Sequence, residues 1–442
     1  IVSLPIEEAI VTDGEVLFSD SDFVSSPTLS SDASKLAFIW WDHPNMPWDI
    51  TTLAVASLTD EGYFSEVTHV QGPCPASILQ PRFNGDRQLY VISDWSGWWN
   101  IYRYDLSRFT DSAEPVNVCP LRAEACSAQW QLGKYNYDFG SDGSIAVSIC
   151  SEGHWSLLHI SAEAEQATHQ GDRSYETILD GFGHIDCLSV SGETLYFCGA
   201  TSTQLPGVYS VSLPSGSGNG RELIPERFIG AVTKLTHASI SRPINIEFDT
   251  GENEKAYAFF YPPTNSLVRS EDGDKPPLIV GVHGGPTSAA RAVLNLKVQF
   301  WTSRGFAFLD VNHRGSTGWG RQYRHRLYQC WGIVDIEDIE NGVRQVIDEG
   351  FVAPDRIAIR GGSAGGYSVM ACLANSKLFS AGASYYGISD LEILAQETHK
   401  FEAHYLDSLI GPLPETKNRY IERSPINKIE NISAPLLLLQ GL

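Results

Sequence analysis

The chain of 442 residues is long enough to form two or three domains, each with its own hydrophobic core. Hydrophobic residues make up 42% and charged residues 19% of the sequence, a globular composition that excludes an intrinsically disordered chain. The net charge of −22 argues against a nucleic-acid backbone or an anionic membrane surface as a partner, and no apolar run approaches the roughly 20 residues of a membrane span.

Residues 1–240 contain a repeated unit of short strands. Each unit has a strand, a polar or glycine-containing turn, a second strand, a longer loop and a third strand. Turns of this kind join antiparallel strands, and they lie at Ser31-Asp32, Asn84-Gly85, Asp142-Gly143 and Ser191-Gly192. The units recur about every 50 residues, the length of a propeller blade; a β-sandwich of similar strands is the alternative. Because the internal order is the same each time, we predict an incomplete β-propeller of four or five blades over residues 1–240.

Residues 241–442 have a different pattern. Two strand-like stretches on either side of Gly251 predict a β-hairpin. Apolar runs typical of buried parallel strands follow, and they read PLIVGVHGG, GFAFLDVNH, RIAIRGG, GASYYG and APLLLLQG. Between them, apolar residues from Val334 to Ile347 recur at helical spacing. This alternation predicts an α/β domain with a doubly wound, mainly parallel sheet over residues 241–442.

The sharpest chemical signal is the pentapeptide Gly361-Gly362-Ser363-Ala364-Gly365. It follows a predicted strand and precedes a helix-like stretch, which is the context of a nucleophile elbow. An elbow exposes the Ser363 hydroxyl above the sheet and places the Ala364 amide at a helix N-terminus, where it can donate to an oxyanion. The alternative is an ordinary glycine-rich turn. We predict that Ser363 is a nucleophile.

A second motif, His283-Gly284-Gly285-Pro286, comes directly after the first of the apolar strands. In α/β-hydrolases a loop of this type supplies the second oxyanion donor, and we expect that donor to be the amide of Gly285. His283 precedes Ser363 in the chain, whereas the hydrolase order is Ser, Asp, His. We therefore do not expect His283 to be the catalytic base.

The glycine-rich loop from Asp310 to Gly320 completes the set of motifs, and both a substrate-facing loop and a structural loop pinned by Arg314 remain open for it. Together with HGGP and GGSAGGY, this loop resembles the prolyl oligopeptidase family of serine peptidases, in particular its acylaminoacyl-peptidase and dipeptidyl-peptidase-like branch. The resemblance implies a propeller that covers the active site of an α/β-hydrolase domain and restricts cleavage to short peptides. It also implies an oxyanion hole of Ala364 and Gly285. The pocket for the residue before the scissile bond is expected near Tyr367, Ile388, Leu391 and Tyr405.

The acid and base that a serine nucleophile needs are not evident in this sequence. The resemblance places the acid shortly after Leu442 and the histidine further on, so we expect a fragment trimmed at both ends and inactive as given. Asp390 is a weaker candidate for the acid, since a residue in its position more often caps a helix. His399 and His404 are weak candidates for the base, and surface histidines are the simpler interpretation.

The resulting hypothesis is a serine peptidase that cleaves short peptides through an acyl-enzyme, as an acylaminoacyl- or dipeptidyl-type exopeptidase. A carboxylesterase on the same scaffold and a non-catalytic propeller binding protein are the alternatives. We expect no metal or cofactor, no nucleic-acid or membrane partner, and leave a homo-oligomer open. The eight cysteines have no disulfide framework spacing, which favours reduced thiols and a cytoplasmic location.

Overall fold

The computed structural model describes residues 1–4, 14–59, 62–162, 175–214, 223–268, 271 and 273–441. The first half of this chain forms a two-stranded ribbon and four four-stranded antiparallel sheets. Within each four-stranded sheet the strands follow one another in chain order, as in propeller blades. This order differs from that of a sandwich and confirms the propeller; the described residues form four blades, numbered 1 to 4 along the chain.

The ribbon strands are β1 (Val2–Ser3) and β2 (Glu15–Val16). Blade 1 contains β3 (Phe23–Leu29), β4 (Lys35–Trp41), β5 (Thr52–Leu58) and β6 (Phe64–Val70). Blade 2 contains β7 (Ile78–Asn84), β8 (Gln88–Ser93), β9 (Asn100–Asp105) and β10 (Val116–Asn117). Blade 3 contains β11 (Tyr137–Phe139), β12 (Ile145–Ser151), β13 (His154–Ile160) and β14 (Glu176–Phe182). Blade 4 contains β15 (His184–Ser191), β16 (Thr194–Ala200), β17 (Gly207–Ser212) and β18 (Glu226–Gly230).

The predicted turns join the first two strands of the blades. Gly85, Gly143 and Gly192 have φ angles of 67°, 85° and 60°, which an L side chain rarely adopts. These turns let each strand pair directly with the next. The fourth strand of each blade was not predicted from the sequence.

The second half of the chain is built on one seven-stranded sheet in the order β19-β20-β22-β21-β23-β24-β25. The hairpin pairs antiparallel and joins the sheet through an antiparallel contact with β22, whereas the other neighbours are parallel. The strands are β19 (Ile244–Thr250), β20 (Glu254–Tyr261), β21 (Leu278–Val282), β22 (Ala307–Asn312), β23 (Ile357–Gly362), β24 (Ala381–Tyr385) and β25 (Leu436–Leu439). This is the predicted α/β-hydrolase architecture.

Seven α-helices accompany this sheet among the described residues. They are α1 (Leu296–Thr302), α2 (Gly320–His325), α3 (Val334–Asp348), α4 (Ala364–Asn375), α5 (Leu391–Glu397), α6 (Tyr405–Leu409) and α7 (Lys417–Arg423). Short 3₁₀ turns span Leu106–Arg108, His237–Ser239, Gly251–Asn253, Lys400–Glu402 and Pro425–Asn431. Within the described ranges, each helix is too short or too polar to cross a bilayer. The described residues contain no disulfide bond.

Helix α3 packs on the sheet through the apolar residues that its periodicity predicted. Ile339, Val343 and Val346 are fully buried, and the absence of a side chain at Gly342 lets Phe248 approach the helix. On the same helix Asp338 is buried and accepts hydrogen bonds from the Arg314 backbone and guanidinium. Arg314 therefore ties the 310–320 loop to α3, which supports the structural interpretation of that loop.

A buried cation joins the propeller to the hydrolase part. Arg324 on α2 is fully buried, pairs with Asp94, and lies 4.1 Å from the centroid of the Trp99 ring. Glu124 accepts hydrogen bonds from the amides of Trp99 at 2.8 Å and Gly320 at 3.1 Å. These contacts fix the mutual position of the two parts and so shape the cavity between them.

Candidate active site

Ser363 lies in the turn between β23 and α4. Its backbone has φ 56° and ψ −123°, a strained conformation for a residue with a side chain, and the residue is exposed. The two outer glycines of the motif permit this turn: a Cβ at Gly361 would lie 2.4 Å from the Gly365 carbonyl oxygen, and one at Gly365 2.3 Å from that of Val282. The structure thus has the strand, sharp turn and helix that a nucleophile elbow requires.

The two predicted oxyanion donors border the same space as Ser363. Ala364 is the first residue of α4, so its amide has no acceptor within the helix. Gly284 passes close to the nucleophile, since a Cβ there would lie 3.6 Å from Ser363 Cβ. Gly285 has a φ of 122°, and it lines a pocket together with Ser363 and Ala364. This arrangement allows two amides to face one oxygen atom.

His283 is held in a structural position. Its Nδ1 lies 2.8 Å from the Gly284 carbonyl oxygen and its Nε2 lies 2.8 Å from Ser316 Oγ. The ring stacks on His313 at 4.7 Å, and burial lowers the pKa of His283 to about 3. With both nitrogens engaged and the neutral form favoured, His283 is poorly suited to take a proton from Ser363.

Two cavities meet at Ser363. The larger one, of about 590 Å³, lies between the propeller and the hydrolase part, and we call it the interdomain cavity. Propeller residues 126–131, 134, 136, 150, 153, 155, 184 and 186 form one wall, and hydrolase residues form the other. Its charged lining residues are Lys134, Asp186, Arg291 and Glu402. Thr317, Gly318 and Trp319 also line it, so the 310–320 loop has a cavity-facing part as well as the pinned Arg314.

The smaller cavity, of about 230 Å³, is mostly apolar and is formed by hydrolase residues alone; we call it the apolar pocket. Ile388 and Tyr405, two of the residues expected near the pocket for the residue before the scissile bond, line it. Lining residues that the sequence did not indicate are Pro286, Trp331, Tyr386, Leu394, Thr398, Glu402, Leu406 and Leu409. Several of these residues come from α5, α6 and the segment between them. The apolar positions of this segment are the sequence feature that could have indicated the lining of the pocket.

Tyr367 and Leu391 lie behind the wall of the apolar pocket, not on it. Both are fully buried, and the Tyr367 hydroxyl donates to the Arg423 carbonyl at 3.0 Å. Tyr367 is four residues after Ser363 on α4, so its side chain points along the helix into the core between Trp331 and α7. Leu391 is the first residue of α5 and packs inward, next to the capping residue Asp390.

The weaker acid and base candidates are engaged elsewhere. Asp390 Oδ1 accepts from the amides of Glu392 at 2.9 Å and Ile393 at 3.2 Å, as a helix cap does. His399 lies 3.5 Å from Glu402, and His404 lies 2.8 Å from Asp407, and both histidines are largely exposed. Among the described residues, no side chain forms a hydrogen bond with Ser363 Oγ.

Comparisons with known proteins agree with this geometry. The model of the prolyl oligopeptidase family matches residues 292–442. The dipeptidyl aminopeptidase BIII of Pseudoxanthomonas mexicana is 30% identical over 232 residues, 49% of this chain and 34% of that protein. The acylamino-acid-releasing enzyme of Arabidopsis thaliana is 31% identical over 188 residues, 40% of this chain and 24% of that protein. The chain thus spans about a third or less of the length of these curated relatives.

Two solved structures are similar over nearly the whole chain. A puromycin-hydrolyzing peptidase of Mycobacterium tuberculosis is 37% identical with a TM-score of 0.88, and the match covers 97% of this chain and 62% of that one. A puromycin hydrolase is 33% identical with a TM-score of 0.85, covering 95% of this chain and 61% of that one.

Proposed function

With the resemblance to the prolyl oligopeptidase family of serine peptidases confirmed, we propose that Ser363 is the nucleophile of a peptidase that cleaves short peptides. The observation that carries this proposal is the Ser363 elbow, which exposes its side chain where the two cavities meet. Residues 1–240 act as the propeller domain and residues 241–442 as the peptidase domain. Each domain contributes one wall of the interdomain cavity.

The reaction starts when Ser363 Oγ attacks the peptide carbonyl carbon and gives up its proton. The carbonyl oxygen becomes an oxyanion, which the amides of Ala364 and Gly285 stabilise by hydrogen bonds. Collapse of this intermediate breaks the C–N bond, and the leaving amine takes the proton. Water then attacks the ester carbonyl, and the reverse sequence releases the acid and restores the serine.

Among the described residues no histidine forms a hydrogen bond with Ser363 Oγ, so the proposal needs a proton carrier elsewhere in the full-length protein. A chain without that carrier would bind peptide without useful turnover. An oxyanion hole and binding without the other members of the triad retain only about 10³–10⁴ over the uncatalysed reaction.

The charge near Ser363 favours substrates with a free amino terminus. Glu402 lines both cavities next to the nucleophile, and its carboxylate accepts from Thr398 Oγ1 at 3.2 Å. An ammonium group on the residue in the apolar pocket could pair with this carboxylate, whereas an acylated amine could not. The curated relatives include a dipeptidyl aminopeptidase and an acylamino-acid-releasing enzyme at similar identity, so the choice of a free amino terminus rests on Glu402.

A carboxylesterase would use the same elbow. Peptides are favoured here because the interdomain cavity has charged groups of both signs, which suit a chain with two charged ends. The propeller wall limits access to this cavity, so folded proteins would be excluded.

Hydrolysis of the dipeptide amide Phe-Gly-NH₂ by the full-length native protein tests the proposal. We expect Ser363→Ala to lower kcat by about 10³-fold or more, and Ser303→Ala, at the C-cap of α1, to leave it unchanged. N-acetylation of the substrate is expected to raise KM about tenfold, and Glu402→Gln to remove that difference. Undiminished amide hydrolysis by Ser363→Ala would disprove the assignment.

A further inference from the structure

A cation faces the interdomain cavity without a partner. Arg291 lies six residues after Gly285, lines this cavity and is exposed to it. Surrounding protein lowers the pKa of its guanidinium by desolvation, with Asp186 opposing the shift. An arginine remains charged under these conditions. Among the described residues, no side-chain or backbone group forms a hydrogen bond or ion pair with its guanidinium.

The nearby carboxylate is already occupied. Asp186 pairs with Lys134 at 2.9 Å and lies 3.1 Å from His184 Nε2. Burial lowers the pKa of His184, so its ring is neutral near pH 7. The group of Lys134, Asp186 and Arg291 therefore has a net charge of +1, although the whole chain has a net charge of −22. This group therefore forms a locally positive site in a protein that is acidic as a whole.

The loop that carries Arg291 is fixed at several points. The Thr287 carbonyl accepts from Trp130 Nε1 at 2.7 Å, and the Ala290 amide donates to Asn312 Oδ1 at 2.8 Å. The Leu294 amide donates to the Thr201 carbonyl at 2.7 Å. On the propeller side, a Cβ at Gly183, between blades 3 and 4, would lie 2.1 Å from the Ala292 carbonyl oxygen, so the two backbones are in direct contact. The guanidinium is therefore presented from a preorganised loop.

We propose that Arg291 binds the carboxylate at the C-terminal end of the leaving group of a short peptide. This inference rests on the proposed function. The apolar pocket accepts the side chain on the acyl side of the scissile bond, so the leaving group extends into the interdomain cavity. Glu402 lines both cavities, whereas Arg291 lines only the interdomain one. The acidic group is thus next to the nucleophile, and the free cation is on the leaving-group side.

A carboxylate is the group that suits this position. A guanidinium can donate two parallel hydrogen bonds to a carboxylate but not to a primary amide, and such charge-assisted pairs are stronger than neutral ones. Arg291 would therefore select peptides that end inside the cavity with a free carboxylate. Longer peptides and amidated peptides would lose this contact.

Isothermal titration calorimetry tests the proposal with the full-length native protein carrying Ser363→Ala, which prevents turnover. The ligands are Phe-Gly-Gly and its C-terminal amide. We expect the free acid to bind about tenfold more tightly than the amide. Adding Arg291→Gln should remove this preference, and Arg291→Lys should retain part of it. Arg344→Gln, which changes an exposed arginine on α3, should leave it unchanged.

Equal affinity for the acid and the amide would overturn the inference, as would a preference that survives Arg291→Gln. The comparison of the two ligands needs no change at Arg291. Equal affinities would therefore overturn the inference even where Arg291→Gln fails to fold. Because calorimetry does not depend on chemistry at Ser363, the result is independent of the proposed nucleophile. If the full-length protein with Ser363 intact hydrolysed no short peptide, while the Ser363→Ala protein still preferred the free acid, only the proposed function would be contradicted.

Discussion

The two cavities that meet at Ser363 differ in how they are built. The apolar pocket is formed by hydrolase residues alone, in particular the segment from Ile388 to Leu409. The interdomain cavity needs both parts of the chain, and its propeller wall is held in place by the buried contacts of Arg324. Under the proposed function, recognition of the acyl-side residue would be intrinsic to the hydrolase part, whereas recognition of the leaving group would depend on the docking of the propeller.

The substitution with the largest expected effect on this difference removes the buried contact of Arg324 between the propeller and the hydrolase part. Arg324→Met would remove the buried cation that faces the carboxylates of Asp94 and Glu124 and leave only the partly exposed Arg321 near Asp94. Removal of one partner of a buried ion pair costs about 3–5 kcal/mol, so we expect a corresponding fall in the free energy of unfolding measured with urea. Binding in the interdomain cavity should weaken more than binding in the apolar pocket.

Arg321→Met is the matched control. Arg321 is on the same helix and its Nε lies 3.6 Å from Asp94, but its side chain is partly exposed. We expect a loss of at most about 1 kcal/mol, as for surface pairs. Equal effects of the two substitutions would mean that Arg324 does not hold the interface.

Stability should also depend on pH through the same contact. Burial raises the pKa of Glu124 from 4.5 to about 7, an effect that outweighs the opposing charge of Arg324. The folded protein thus binds a proton that the unfolded chain has lost, and the stability that this proton provides is present below about pH 4.5 and lost as the pH rises through about 7. We expect the free energy of unfolding to fall between pH 5 and 8, by at most about 3 kcal/mol from this group.

Glu124→Gln should reduce that fall, and urea titrations at several pH values measure it. Asp335 on α3 provides the comparison within the hydrolase domain, because burial raises its pKa to about 7 as well. Asp335→Asn should flatten the pH dependence of stability without changing the interdomain cavity. A pH dependence that is the same in Glu124→Gln and the unchanged protein would show that Glu124 does not titrate in this range.

A smaller effect is expected from a charge in the apolar pocket. Ile388→Asp would place a carboxylate against Leu394, Leu406 and the acyl-side residue of the substrate. We expect peptides with an apolar residue at this position to bind about 10–100-fold more weakly. Ile393→Asp, on the exposed face of α5, is the control and should have no effect. Binding that is unaffected by Ile388→Asp would exclude this pocket as the acyl-side site.

The features of the fold and of the site that the sequence predicts are those formed by one continuous segment, and the features that it does not predict are those formed where distant segments meet. The buried strands of the hydrolase sheet and the Ser363 turn were predicted because both depend on local patterns. The fourth blade strands were missed; β10 has only two residues and β18 is almost entirely exposed, so neither has a clear apolar alternation. Tyr367 and Leu391 were expected near the pocket but lie behind its wall, since only tertiary packing decides which helical residues face a cavity. Arg291 and the propeller wall gave no signal, because an interface between distant segments leaves no local pattern.

The central claim is that Ser363 is the nucleophile, and a covalent adduct tests it most directly. We would incubate the full-length native protein with a fluorophosphonate and locate the modified residue by mass spectrometry of its peptides. The account predicts one adduct, on Ser363, that is absent from Ser363→Ala and retained in Ser303→Ala. An adduct on another serine, or labelling that survives Ser363→Ala, would contradict it.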